Sequence, residues 1–258
     1  MNEISGFKKH GIKHSSASQI NMYSNSPDAW VARYLFNKRF AGSIAMTVGV
    51  EAENAVVNVI AGGYSVDDAK KQAHKMVRKS SGLGLTLTSA ETKRIEGMDG
   101  MIDNALEYLK QFGEPEFDGD IVDGIKQKKI ELVCNAGNWS LPIIGYLDFE
   151  YPKLGKVIDL KTTMATPSNM SVEHMRQGSI YKGAKSNYSV EFLYVTPKKY
   201  VCHTIENHAP VLEEIKNILI RQERLLSRMS KEEIRDIIPL TNTYYWSGSQ
   251  DIKTELFG

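Results

Sequence analysis

Apolar positions recur at helical spacing through the first half of the chain and mostly at strand spacing through the second. SASQINMYSNSPDAWVARYLF reads as a short helix opened by Ser18, a break at Ser26-Pro27, and a second helix with Trp30, Tyr34 and Leu35 on one side. GVEAENAVVNVI, after Thr47, continues the helical pattern. Further helices are predicted over about 66–79 and 89–112, separated by the turn region SSGLGLT.

From about residue 128 the period becomes two. KKIELVCN, SLPIIGYLDFE and GKVIDLKTT, divided by NAGN and YPKLG, predict a meander of three antiparallel strands. A helix over Ser171–Lys185 follows, then strand runs YSVEFLYVT and KYVCHTI. A long amphipathic helix starts near His208, with Val211, Leu212, Ile215, Ile218, Leu219 and Leu225 on its core side. The expected architecture is α/β, one mixed central sheet flanked by helices, in a single domain over 1–258. Its helical N-terminal part covers about 15–112, its sheet core about 128–206 and its C-terminal helices about 208–240. The first dozen residues and the tail after about Ser247 are expected to be poorly anchored.

Composition narrows the function classes. A chain of 258 residues, 41% hydrophobic and 24% charged, has the profile of a soluble globular protein. No run approaches the roughly 18 apolar residues of a membrane span. MNEISGFKKHGIKH lacks the apolar centre of a secretory signal, so a cytoplasmic protein without a membrane partner is expected. Cys134 and Cys202 cannot form a disulfide framework or a four-thiolate metal site within one chain, and both lie in strand-like runs that suit packing. The six histidines show neither HxH nor HExxH spacing, so any metal must be held mainly by carboxylates. A formal charge of +1 is unlike that of a protein that coats nucleic acid. A nuclease stays open, because its acidic ligands offset a basic groove.

The candidate chemistry lies in the hairpin around YPKLG. Centring the turn between Lys153 and Leu154 and counting outward puts Asp148 opposite Asp159. Directly paired Cβ atoms stand about 4.5–5.5 Å apart, where like charges destabilise a sheet unless something such as a divalent cation compensates. Lys161 falls on the same strand face as Asp159, about 6.6 Å further on, while Leu147, Phe149, Ile158 and Leu160 alternate away toward an apolar face. The Leu160 carbonyl is a further oxygen donor suited to a hard cation. An edge hairpin with solvent-facing Asp159 and Lys161 is the bland alternative.

Two helices offer partners. Glu53 shares a helical stripe with Val56, Val57 and Ile60, whereas Glu51 falls with Asn54 and Asn58 on the polar side. A carboxylate turned toward the core needs a partner, so Glu53 is the ligand candidate unless it reaches solvent at the stripe's edge. Gln177 and Tyr181, four apart, share a face that His174 and Lys185 extend. With Arg176, these form a candidate substrate contact for a phosphate backbone, the alternative being a solvated helix face.

Taken in order, these pieces resemble the PD-(D/E)XK nuclease superfamily, specifically the RecB-like exonucleases. The matching residues are Ser16-Ala17-Ser18 through Tyr23 to Ser26-Pro27, Gly49 to Glu53, Gly145-Tyr146-Leu147-Asp148, Ile158-Asp159-Leu160-Lys161-Thr162-Thr163, and Gln177 with Tyr181, over roughly residues 16–200. Iron-sulfur relatives carry cysteine before the proline where this chain has Ser26, so no iron-sulfur cluster is expected. Glutamate at 53, where many relatives use histidine, is more similar to the lambda-exonuclease and YqaJ branch of phage recombination enzymes. The resemblance implies a restriction-endonuclease-like core in which Asp148, Asp159, Glu53 and the Leu160 carbonyl hold Mg²⁺ or Mn²⁺. Lys161 then acts on the attacking water and the phosphate, and Gln177 and Tyr181 position groups around them.

The implied function is a DNA exonuclease in recombination, repair or phage DNA processing, working in the host cytoplasm if viral. A homo-oligomer and a single-strand-annealing or recombination partner are compatible with that branch. An endonuclease on the same core, a catalytically inactive nucleic-acid-binding module and an enzyme for small phosphate esters are the rivals.

Overall fold

Small hydroxyl side chains open several of the helices by accepting a hydrogen bond from the first turn. Ser16 does so for α2 (Ala17–Asn25), Ser43 for α4 (Ile44–Ile60) and Ser171 for α8 (Val172–Ala184). The structure is a computed structural model and describes residues 5–80, 87–117, 120–122, 125–136 and 139–258. The expected turn SSGLGLT, after Ser80, and two residues of NAGN lie outside the described residues. Before α2 come α1 (Gly6–Lys9) and the two-residue strand β1 (Ser15–Ser16). Pro27 starts α3 (Pro27–Trp30), which runs into a π-helical turn, Val31–Leu35. After α4 come α5 (Val66–Ser80), α6 (Ser89–Glu96) and α7 (Met98–Leu109). The helix predicted over 89–112 is thus interrupted at Gly97, where a Cβ would meet Pro197 Cγ at 2.4 Å.

The strands are β2 (Asp120–Val122), β3 (Ile125–Ala136), β4 (Trp139–Leu147), β5 (Phe149–Tyr151), β6 (Lys156–Thr162), β7 (Ser189–Val195) and β8 (Tyr200–Thr204). The architecture is α/β, but in place of one sheet the described residues form two mixed four-stranded sheets, ordered β1-β4-β3-β2 and β5-β6-β7-β8. They meet where β4 passes into β5 through Asp148 alone. β4 pairs antiparallel with β3, β5 pairs antiparallel with β6, and β6 runs parallel to β7. Of the predicted meander, the middle strand is therefore split at the candidate site.

That split changes which residues share a core. Leu147 packs with Val157, Phe192 and the helices α2, α8 and α9 (Ala209–Arg228). Phe149 packs instead with Ile158, Leu160, Leu193 and the side chains of α4, α5 and α7. Both faces of the β6-β7 layer are covered, so Asp159 does not lie on an open polar face as the alternation suggested. It is fully buried.

The termini are better anchored than expected. Glu223 of α9 accepts the backbone N–H groups of Gly6 at 2.6 Å and Phe7 at 3.1 Å, and Phe7 is buried. At the other end, after α10 (Lys231–Ile237), Ser249 accepts a hydrogen bond from the Ala41 N–H at 3.1 Å. Glu255 of α11 (Gln250–Phe257) pairs with Lys38 at 2.5 Å. No helix among the described residues is long and apolar enough to cross a membrane.

Candidate active site

Register places the acidic pair. Phe149 opposes Ile158 across β5 and β6, so one step back Asp148 stands opposite Asp159. The ladder stops there, and the Leu160 N–H donates to Asp148 Oδ2 at 2.8 Å instead of to a strand carbonyl. Both polar groups of a strand residue leave toward the same neighbour, so the Leu160 carbonyl also faces the Asp148 side. Lys161 reaches back to Asp159 Oδ1 in a close ion pair and lies 5.5 Å from the Phe192 ring centre.

β3 supplies a residue that the sequence reading did not single out. Lys128 opposes Leu147, so Gln127 falls opposite Asp148. Its amide nitrogen donates to Asp148 Oδ1 at 2.9 Å and to Glu53 Oε1 at 2.7 Å, linking α4 to the sheet. Centring that hairpin's turn between Gly137 and Asn138 in the sequence and counting outward reaches Gln127 opposite Asp148.

α8 lies on the other side of the pair. Gln177 donates to Asp159 Oδ2 at 2.9 Å and to the Tyr181 hydroxyl at 2.8 Å, and that hydroxyl donates to the Tyr146 carbonyl at 2.7 Å. Close approach needs glycine. A Cβ on Gly145 would sit 2.7 Å from Tyr181 Cε1, and one on Gly178 would meet Phe192 and Ile205 within 2.7 Å. His174 stacks on Phe192 and shares a 2.7 Å hydrogen bond with the Tyr194 hydroxyl, one layer out from the acidic pair.

The other two candidate contacts are engaged elsewhere. Arg176 points across α8 to Asn21 at 3.2 Å and Glu214 at 2.6 Å. Lys185 pairs with buried Glu150 at 2.7 Å, whose second oxygen meets Lys128 at 2.9 Å. Helical spacing gave their direction round α8 but not the acids awaiting them. The structure therefore brings together Glu53, Asp148, Asp159, Leu160, Lys161, Gln177 and Tyr181, adds Gln127, and sets Arg176 and Lys185 apart.

Burial and mutual repulsion dominate the electrostatics. The Asp148 carboxyl is pushed well above the usual range, first by burial and then by the charges of Asp159 and Glu53. Burial alone would lower the Lys161 ammonium, but the Asp159 and Asp148 charges outweigh it and hold the lysine above its ordinary value. Burial, with the neighbouring carboxylates, raises the Tyr181 hydroxyl far enough to keep it a donor. Burial and the Lys161 charge lower His174, favouring neutral imidazole.

Among the described residues, no three His, Cys, Asp or Glu side chains are grouped as they would be around a metal ion. Gln127 bridges Glu53 and Asp148, while Lys161 and Gln177 hold Asp159. The amide hydrogens and the ammonium supply positive charge to Glu53, Asp148 and Asp159. Asp159 Oδ1 faces that ammonium but accepts no well-formed hydrogen bond from a described residue. The donor set is all hard oxygen, which fits Mg²⁺ or Mn²⁺. A cleft of about 600 Å³ opens beside the cluster, its lining including Asp148, Gln127, Gln177, Tyr181, Ser16, Arg33 and Tyr34.

No family model and no curated protein matches the sequence. Among solved structures, the chain is similar to SSO0001 at 15% identity and a TM-score of 0.36, over 75% of this chain and 86% of that one. It is also similar to Rai1 of Scheffersomyces stipitis, solved with (3'-NADP)+ and calcium, at 12% identity and a TM-score of 0.27, over 93% and 75% of the two chains. At these scores neither similarity bears on fold type or function.

Proposed function

We propose that the chain is a metal-dependent deoxyribonuclease with a restriction-endonuclease-like core, hydrolysing phosphodiester bonds from a DNA end. The observation that carries this reading is the pair of opposed, buried carboxylates Asp148 and Asp159 with the Lys161 ammonium held charged beside them. Glu53, Asp148, Asp159 and the Leu160 carbonyl would hold Mg²⁺ or Mn²⁺. Such an ion, when bound, makes water a nucleophile at neutral pH and offsets charge developing on the phosphate.

The chain's own residues prepare the rest. Lys161 offers donors and positive charge to the attacking water and to a phosphate oxygen, in a site where burial strengthens the interaction. Gln177 fixes one oxygen of Asp159, leaving the other to Lys161. Tyr181, donating to the Tyr146 carbonyl, holds Gln177 from behind. Exonuclease action rests on the sequence resemblance, and the cleavage reaction rests on the carboxylates and lysine.

Incubating linear and covalently closed circular DNA with Mg²⁺ tests both levels. Loss of linear DNA alone is the expected result. Equal cutting of closed circles overturns the exonuclease assignment, and no hydrolysis of either with Mg²⁺ or Mn²⁺ overturns the nuclease reading.

A further inference from the structure

The cleft does not end at the carboxylates. Arg33 and Tyr34, which line it, also line a second cavity of about 510 Å³ together with Asn37, Lys38, Arg39 and Phe40. This second cavity has three cations and no acidic side chain in its lining. Lys38 is paired with Glu255, but among the described residues Arg33 and Arg39 form no ion pair, and both are exposed. Arg33 lies 5.8 Å from the Tyr34 ring centre.

Unusual backbone shapes this wall. Arg33 and Tyr34 sit in the π-helical turn Val31–Leu35, and Asn37 has φ 55°, which among the described residues no other residue except glycine matches in sign. Such features carry a local energetic cost and often accompany functional sites. The C-terminal segment braces them: Phe40 packs on Trp246 at 5.1 Å between ring centres, and Ala41 is hydrogen-bonded to Ser249. A braced, cationic groove with aromatic side chains suits a phosphate backbone with unpaired bases.

We propose that the Arg33–Arg39 groove carries the phosphates of one DNA strand toward the Asp148–Asp159 site. This rests on the nuclease reading for the identity of the strand and on the shared cavity wall for its path. Unpaired DNA is favoured over duplex because half-buried Tyr34 and Phe40 line the groove, and aromatic side chains beside cations suit unpaired bases.

The test measures binding of fluorescent single-stranded DNA over a range of salt, in chelator, for the wild-type chain and for Arg33→Ala/Arg39→Ala. Circular dichroism checks that the variant is folded, and Mg²⁺-dependent hydrolysis by the wild type is recorded in parallel. Two lost phosphate contacts should weaken binding and flatten the log–log salt dependence by about 1.4, since each contact to a single strand contributes about 0.7. An unchanged slope in a folded variant overturns the groove while wild-type hydrolysis leaves the nuclease reading standing. A flattened slope without wild-type hydrolysis supports the groove and overturns the catalytic assignment. If the wild type fails to bind DNA at all, both fall.

Discussion

Two buried aspartates in this chain have opposite surroundings. Asp28, at the start of α3, is fully buried and receives five hydrogen bonds: Ser26 Oγ at 2.9 Å, Ala29 N at 3.0 Å, Thr241 N at 2.8 Å, Thr241 Oγ1 at 2.7 Å and Trp246 Nε1 at 3.0 Å. Burial pushes its carboxyl up, but hydrogen bonds from Thr241, Ser26 and Ala29 outweigh this and hold it below the usual range. Asp148 is almost as deeply buried, yet it faces Asp159 and Glu53 and is pushed up. Asp28 is therefore a fastening between the N- and C-terminal segments. Asp148 belongs to a cluster of like charges and is the kind of perturbed carboxyl that marks a candidate functional site.

The contrast can be broken first through activity. Asp159→Ala should reduce Mg²⁺-dependent DNA hydrolysis by about a thousandfold or more, the scale of losing a transition-state electrostatic contact, while leaving the urea midpoint near that of the wild type. Retained hydrolysis would remove Asp159 from the site. Asp28→Ala should do the reverse to stability. It orphans the Trp246 indole and backbone donors and should lower unfolding free energy by about 3 kcal/mol, read from urea denaturation. A change within error would mean that the C-terminal segment is not fastened there.

The arrangement of the candidate site was legible because it depends on local counting. One turn and a two-residue period put Asp148 against Asp159 and Lys161 beside Asp159, and a four-residue period put Gln177 over Tyr181. The pairing of Lys185 with Glu150 and of Arg176 with Glu214 was not legible, because those partners are remote in sequence. The split sheet was equally hidden: nothing in GYLDFE signals that Leu147 and Phe149 serve different cores. Both chain ends looked loose because their anchors, Glu223 for Gly6 and Phe7, and Ala41 and Lys38 for the tail, are remote in sequence.

pH sharpens the comparison of the two aspartates. A carboxyl raised on folding contributes stability below the ordinary carboxylate range, and that stability is lost as pH rises through its folded value. A lowered carboxyl contributes above that range, and its share is lost as pH falls through its folded value. In chelator, Asp148→Asn should therefore raise the urea midpoint at neutral pH, with the gain fading as the pH drops toward the carboxylate range. Destabilisation at neutral pH would contradict the repulsion assigned to Asp148. Tyr181→Phe should have the smallest effect. It leaves the Tyr146 carbonyl without its donor, costing about 1 kcal/mol of stability and lowering hydrolysis less than Asp159→Ala does. A loss equal to that of Asp159→Ala would place the hydroxyl at the reacting atoms.

The most direct test is a time course on end-labelled linear DNA with Mg²⁺, with Mn²⁺ and with chelator. Progressive release of label in either metal, stopped by chelator and absent in Asp159→Ala, is the expected result. Hydrolysis that persists in chelator, or in Asp159→Ala, would contradict a metal-dependent site at Asp148 and Asp159.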